Sequence, residues 1–137
     1  MIIDINDEKL ESDISFQKYL EDNPGTGYLK VRASSASEAM PIEGVEVIVS
    51  KKIGDNTIVF YDGKTDASGM INGIKLPTPK RIANNLEVPN FSTYNLRAVY
   101  PDDSYDQNYE ISLCCSITIV QYINITPKVN MEGNNGS

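Results

Sequence analysis

Two stretches of the sequence place acids, hydroxyls and a lysine close enough together to suggest chemistry. The first reads YDGKTDASG and brings Lys64, Thr65, Asp66 and Ser68 next to Gly69. A carboxylate beside a hydroxyl could act as a general base. The same residues suit a tight turn, because an Asp side chain can accept backbone N–H groups and glycine can take a positive φ. The sequence therefore predicts a structural turn at Thr65, Asp66 and Gly69, without a catalytic residue.

The second stretch is acidic and spans residues 101–110. Oxygen-bearing side chains occupy every second position, as at the start of a calcium-binding loop: Asp102, Ser104, Asp106, Asn108 and Glu110. A calcium loop also needs a glycine at its sixth position and a closing glutamate, and Leu113 stands where that glutamate should be. The sequence therefore favours a solvated acidic loop here and leaves calcium binding as the alternative.

The amino-acid inventory excludes several kinds of catalytic site. The chain has no histidine, so it cannot build a Ser-His-Asp triad, a Cys-His pair or a zinc site based on imidazole. It contains neither a GxxxxGKS/T phosphate loop nor a GxGxxG fingerprint. Its two cysteines, Cys114 and Cys115, are adjacent and do not make a disulfide framework. The sequence predicts a protein that is not an enzyme, with no cofactor and no assigned metal ligands.

The charge of the chain narrows the choice of partners. With 19 acidic and 12 basic residues among 137, the formal net charge is −7. Nucleic-acid grooves and anionic membrane surfaces both require clustered Lys and Arg, so we expect neither as a ligand. No run of about 18 apolar residues is present, so we expect no membrane insertion. The opening MIIDINDEKLESD lacks a basic region and an apolar core, which predicts synthesis in the cytoplasm without a signal peptide.

From Gly27 onward, the sequence predicts that the elements positioning these residues are β-strands. GYLKVRASS and PIEGVEVIVSKK alternate apolar and polar residues, which is typical of half-buried strands. The alternation predicts that the apolar residues of each strand share one face, and these are Leu29, Val31 and Ala33 in the first strand and Val45, Val47 and Val49 in the second. Gly54 to Asn56 is a hairpin signal, and further strand-like runs follow as far as NITP. Short strands joined by Gly, Pro, Asn and Asp, without a long helical period, predict an all-β fold. We expect an antiparallel Greek-key sandwich of about seven strands, of the prealbumin or immunoglobulin type, over residues 27–128.

Residues 1–26 differ from the rest and predict an extended arm followed by a short amphipathic helix. Ser12 and Asp13 are both candidate N-caps, and Asn23-Pro24-Gly25 is a stop signal. A helix of about ten residues is not stable alone in water, so its apolar stripe must pack on something. The sequence leaves open whether that is its own sandwich or another chain. At the other end, residues 129–137 are predicted to form a flexible tail.

Seven residues are candidates for contacts with a partner. Five are apolar positions of the arm and helix, and two are tyrosines near the acidic stretch: Ile2, Ile3, Phe16, Tyr19, Leu20, Tyr105 and Tyr109. Exposed apolar chain ends and clustered aromatic side chains are both common at protein interfaces.

Several motifs resemble the carboxypeptidase regulatory-like domain, a transthyretin-like β-sandwich. They are Pro41-x-x-Gly44-Val45-x-Val47-x-Val49, Thr65-Asp66-x-Ser68-Gly69, Tyr94-x-Leu96-x-Ala98 and a final strand closed by Pro127. The resemblance covers roughly residues 27–128 and implies a β-sandwich fold. The sequence departs from the family pattern at YPDDSYDQNYE, where the family commonly has a Gly-Tyr pair before the last hairpin.

The combination of an SFQKYLEDNP helix with a following GYLKV strand is similar to small domains from clostridial phage-tail and tailocin loci. This resemblance implies a structural subunit whose partners are other proteins of a particle that lysis releases. Similar GYLKV domains also stand beside peptidoglycan- and spore-cortex-lytic enzymes. The alternative is therefore a binding module for cell-wall glycan that acts together with a lytic enzyme.

Overall fold

The computed structural model describes residues 1–35, 40–80, 91–101 and 105–125. The chain begins with β1 (Ile2–Asp4), a 3-10 helix (Glu8–Ser12) and α1 (Ile14–Asp22). Asp13 is the N-cap of α1, because its carboxylate accepts the backbone N–H of Phe16 at 3.0 Å. The helix ends at Asn23, directly before Pro24. The predicted short N-terminal helix is thus confirmed, with Asp13 as its cap.

Eight more strands follow within the described ranges. They are β2 (Gly25–Ser35), β3 (Met40–Pro41), β4 (Glu46–Ile53), β5 (Asn56–Lys64), β6 (Met70–Thr78), β7 (Phe91–Tyr100), β8 (Tyr105–Cys114) and β9 (Thr118–Asn124). The first sheet has the order β1-β5-β4-β7-β8. In the second sheet, β2 pairs with β6 and β9 along its length and with β3 at its end.

The core lies between the two sheets and is built from the alternating apolar positions of the strands. Leu29, Val31 and Ala33 of β2 are fully buried, and so are Val47 and Val49 of β4. Each of these residues lies on the face that the sequence pattern predicted to be apolar. The expected all-β sandwich with a short N-terminal helix is confirmed.

The pairing of the strands differs in two respects from the purely antiparallel sheet that the sequence suggested. The described residues form nine strands, and two of the pairings, β1 with β5 and β2 with β9, are parallel. Parallel neighbours require a crossover between the two strands. The 3-10 helix, α1 and three strands separate β1 from β5 along the chain, and six strands separate β2 from β9. Local sequence patterns carry no information about such distant partners.

The acidic stretch is not a loop over its second half, so that prediction was wrong. Tyr105 to Glu110 form the first part of β8, and the alternating Asp106, Asn108 and Glu110 are exposed on one face of that strand. A period of two is the spacing of a strand's solvent face as well as of a calcium loop. The guanidinium of Arg97 hydrogen-bonds Asp106 at 2.7 and 2.9 Å and holds the pKa of that carboxyl below its usual value. Asp102 and Ser104 lie outside the described residues.

The helix packs on the chain's own sandwich. Five buried side chains from β1, the 3-10 helix, α1, β4 and β5 form a second apolar cluster, here called the N-terminal cluster: Ile3, Leu10, Phe16, Ile53 and Ile58. Of the two alternatives that the sequence left open, the structure shows the first. No helix in the described ranges is long and apolar enough to cross a membrane. The predicted tail, residues 129–137, lies outside those ranges.

Candidate interaction surface

The residues of the predicted turn all serve the connection between β5 and β6. The Asp66 carboxylate accepts the backbone N–H groups of Ser68 at 2.9 Å and Met70 at 3.0 Å. Gly69 has a φ of +74°, and a Cβ atom there would lie 2.4 Å from the carbonyl oxygen of Ala33. The Asx turn and the close approach of two chain segments explain both residue types without a substrate.

Thr65 ties this connection to the start of β4. Its buried hydroxyl accepts the backbone N–H of Val45 at 3.0 Å and donates to the carbonyl of Ile42 at 2.8 Å. We expect Thr65→Val to lower the free energy of unfolding by about 1–3 kcal/mol, because both backbone groups lose their partner in the interior. Urea denaturation measures the change. Thr65→Ser keeps the hydroxyl and is the control, and an equal loss in both variants would contradict this role.

The predicted contact residues of the arm and helix divide into buried and accessible groups. Ile3 and Phe16 are only 6% and 4% exposed, within the N-terminal cluster. In this fold they stabilise the chain itself and are not available to a partner. Tyr19 and Leu20 are half-buried, and Ile2 is 75% exposed.

Tyr19 belongs to a group of aromatic side chains around Lys51 that holds α1 against the first sheet. The Tyr19 hydroxyl donates to the Tyr94 hydroxyl at 2.7 Å, and the Tyr94 hydroxyl donates to the Pro77 carbonyl. The Lys51 ammonium lies 5.6 Å from the centroids of both rings and donates to the carbonyl of Thr93 at 2.6 Å. Burial raises the pKa of Tyr94 and lowers that of Lys51. Because every polar atom of the group has a partner in the chain, its evident role is structural.

Tyr105 and Tyr109 do not form an open aromatic patch. Both are half-buried and pack against the core, and their hydroxyl groups contact each other. Burial raises the pKa of Tyr105. Their rings close one end of the first sheet, where Tyr105 pairs with Tyr100 and Tyr109 with Leu96.

A different surface combines accessible cations with apolar side chains. It is the outer face of the second sheet, here called the basic face. The register places Lys30 of β2 beside Val120 of β9, and Arg32 beside Tyr122. Tyr28 lies beside Lys75 of β6 on the same face. The residues that define the basic face are Tyr28, Lys30, Arg32, Lys75, Val120 and Tyr122.

The basic face is unusual for such an acidic chain. The side chains that β2, β6 and β9 direct outward include three cations and, within the described ranges, no acid. The ion pairs of the described residues are Lys18–Asp22 and Arg97–Asp106, so Lys30 and Arg32 have no acidic partner among them. Val120 is 41% and Tyr122 51% exposed. Uncompensated cations around exposed apolar side chains are what an acidic protein surface would complement.

The edge of the second sheet is also accessible. β9 pairs with β2 on one side, and no strand from the described part of the chain pairs with its other side. Ile117, directly before β9, is 38% exposed. Sequence analysis missed this surface, although the polar positions of GYLKVRA already held Tyr28, Lys30 and Arg32. The missing information was that β9 lies beside them.

Together, the described residues define an all-β sandwich closed by an N-terminal helix, with one basic and partly apolar sheet face. No protein-family model and no curated protein matches the sequence. The resemblance to the carboxypeptidase regulatory-like domain therefore stays a prediction.

Two solved structures are similar in fold. One is GBS52, the minor pilin of Streptococcus agalactiae, with 14% identity and a TM-score of 0.50 over 77% of this chain. The aligned part is 46% of the pilin, so this chain spans less than half of that protein. The other is a 5-hydroxyisourate hydrolase from Klebsiella pneumoniae, with 18% identity and a TM-score of 0.48 over 75% of this chain and 92% of the hydrolase. At these identities the likeness to the pilin shows the β-sandwich fold alone.

Proposed function

We propose that this chain is a non-enzymatic structural subunit that binds other proteins of a larger assembly, and that this assembly is a phage tail or a phage-tail-like particle. The basic face is the observation that carries the first part. Arg and Tyr are enriched among the residues that anchor interfaces, and here Arg32 and Tyr122 are neighbours on an accessible sheet. The phage-tail context rests on the SFQKYLEDNP and GYLKV resemblance.

The aromatic group around Lys51 agrees with a structural role. It has the cation and hydroxyls that a catalytic site could use, but they bond one another and the backbone. Burial raises the pKa of both Tyr19 and Tyr94, so both hydroxyls stay protonated at neutral pH and neither is a general base there.

The test of the particle context is to purify phage-tail-like particles after lysis of the source bacterium and to quantify this chain in them by mass spectrometry. We expect a fixed copy number per particle. Arg32→Glu should reduce incorporation at least tenfold, because it opposes the charge of the basic face. Lys52→Glu, at an exposed lysine of the first sheet, makes the same charge change elsewhere and should incorporate normally. Particles without this chain would overturn the phage-tail assignment.

Binding of cell-wall glycan is the second candidate, and the exposed ring of Tyr122 favours it. An amphipathic aromatic side chain next to Lys and Arg can bind a polar, carboxylate-bearing polymer. We expect the chain to sediment with purified peptidoglycan if this function is the correct one, and Tyr122→Ala to remain in the supernatant. Tyr109→Phe, at a half-buried tyrosine, is the control. Recovery of the wild-type chain entirely in the supernatant would eliminate this candidate.

A further inference from the structure

The N-terminal segment, defined here as residues 1–24, carries most of the chain's net negative charge. It has seven acidic residues and two lysines, a formal charge of −5 in a chain of −7. Lys18 forms an exposed ion pair with Asp22 at 3.8 Å, and its charge is already included in this sum. The segment therefore presents a concentrated negative potential, while the basic face presents the opposite sign.

The N-terminal segment also exposes apolar side chains among its acids. Ile14, at the first position of α1, is 85% exposed, although its helix is otherwise anchored by buried Phe16. A surface groove beside Ile14 is lined by Glu11 and Glu21, and also by Ser12, Gln17 and Lys18. The surface thus combines an exposed apolar side chain with two carboxylates.

The basic face has the complementary arrangement. Its exposed apolar side chains are Val120 and Tyr122 on the edge strand β9, and the register places Lys30 and Arg32 directly beside them. The two surfaces are opposite in charge, and each combines exposed apolar side chains with its charged ones. No ion pair joins them within the described part of one chain, where one salt bridge, Lys18–Asp22, lies inside the N-terminal segment and the other, Arg97–Asp106, lies on the first sheet. Both surfaces therefore stay available for a contact between chains.

We infer that the basic face binds the N-terminal segment of a second copy of this chain. This inference rests on the proposed function, since it names the occupant of the proposed docking surface. The contact brings Glu11 and Glu21 of one copy to Lys30 and Arg32 of the next, with Ile14 against the exposed apolar pair. Such a contact uses two different surfaces of the molecule, and a head-to-tail contact of this kind builds rings or filaments from repeated copies.

A charge-exchange experiment on the full chain tests this inference. The wild-type chain should form a species larger than a monomer in size-exclusion chromatography with light scattering at about 0.1 M salt. It should dissociate at about 1 M, where the Debye length falls from about 10 Å to about 3 Å. K30E/R32E and E11K/E21K, each alone, should weaken self-association at least tenfold. An equimolar mixture of the two variants should associate again, because their charges are exchanged.

The controls separate this contact from folding and from the proposed function. Lys52→Glu should associate like the wild type, and circular dichroism should show similar melting temperatures for all variants, since none of the changed side chains is buried in the core. A monomeric wild-type chain, or a mixture that stays monomeric, overturns the inference. If the chain does not self-associate but Arg32→Glu still fails to enter the particles, the basic face binds a different protein. The proposed function then stands. If the chain does not self-associate but binds peptidoglycan, the basic face binds a glycan instead.

Discussion

Replacing Phe16 by alanine lowers the free energy of unfolding by about 3–5 kcal/mol, the range for removing a buried phenylalanine ring. Phe16 lies at the centre of the N-terminal cluster, and its ring centroid is 6.3 Å from that of Phe60 on β5. Its loss leaves a cavity between α1 and the first sheet that the docked helix cannot fill without moving. Urea denaturation monitored by circular dichroism measures the change. The protein concentration and the salt concentration are chosen so that the chain is monomeric.

Ile14→Ala is the matched control for this prediction. Ile14 is an apolar residue of the same helix and is almost fully exposed, so its truncation should change the stability of the monomer by less than about 0.5 kcal/mol. Equal effects at the two positions would mean that α1 does not pack on the sandwich in solution. The comparison thus tests directly which of the two docking alternatives is correct.

Gly69→Ala should destabilise the chain by about 2–6 kcal/mol, for two reasons. An alanine at a φ of +74° is strained by about 1–3 kcal/mol. Its Cβ would also lie 2.4 Å from the carbonyl oxygen of Ala33 and 3.1 Å from the backbone nitrogen of Ile42, and such overpacking costs a further 1–3 kcal/mol or so. Both clashing atoms belong to the backbone, so rotation of a side chain cannot relieve the contact.

Gly73 provides a control that separates the two contributions. It has a φ of +71°, but no atom lies within 4 Å of a Cβ built there. Gly73→Ala should therefore show only the conformational strain, about 1–3 kcal/mol, and the difference between the two variants measures the close approach of β2 to the turn. Thermal or urea unfolding of both proteins gives that difference. Identical losses would show that the turn is not held against Ala33.

The local patterns of the sequence were sufficient for the elements and for their buried faces. The alternation in GYLKVRA predicted that Leu29 and Val31 point inward, and both are fully buried. Asp13 was one of two candidate caps for the helix, and its side chain makes the capping bond. These features depend on the spacing of residues along one strand or one helical turn, which the sequence displays directly.

Alternating polar residues led to a wrong prediction at residues 105–110, because a loop that binds calcium and a strand can both show this alternation. Asp106, Asn108 and Glu110 stand at alternate positions, which is the spacing of the first ligands of a calcium loop and also of the solvent face of a strand. The ladder with β7, in which Arg97 holds Asp106, makes this stretch a strand. That ladder joins β8 to β7, and the spacing of residues within 105–110 alone does not display it.

By itself, the sequence determined an all-β sandwich, the inward faces of its strands, the turn at Thr65, Asp66 and Gly69, and a short capped helix. Only the tertiary structure decided that Ile3 and Phe16 are buried in the chain's own core, and that β9 lies parallel to β2. The second decision creates the basic face, because it places Val120 and Tyr122 beside Lys30 and Arg32. In each cross-strand pair, Lys30 with Val120 and Arg32 with Tyr122, the two residues are about 90 positions apart in the chain. The register between such distant strands follows from the packing of the whole molecule and not from any local spacing.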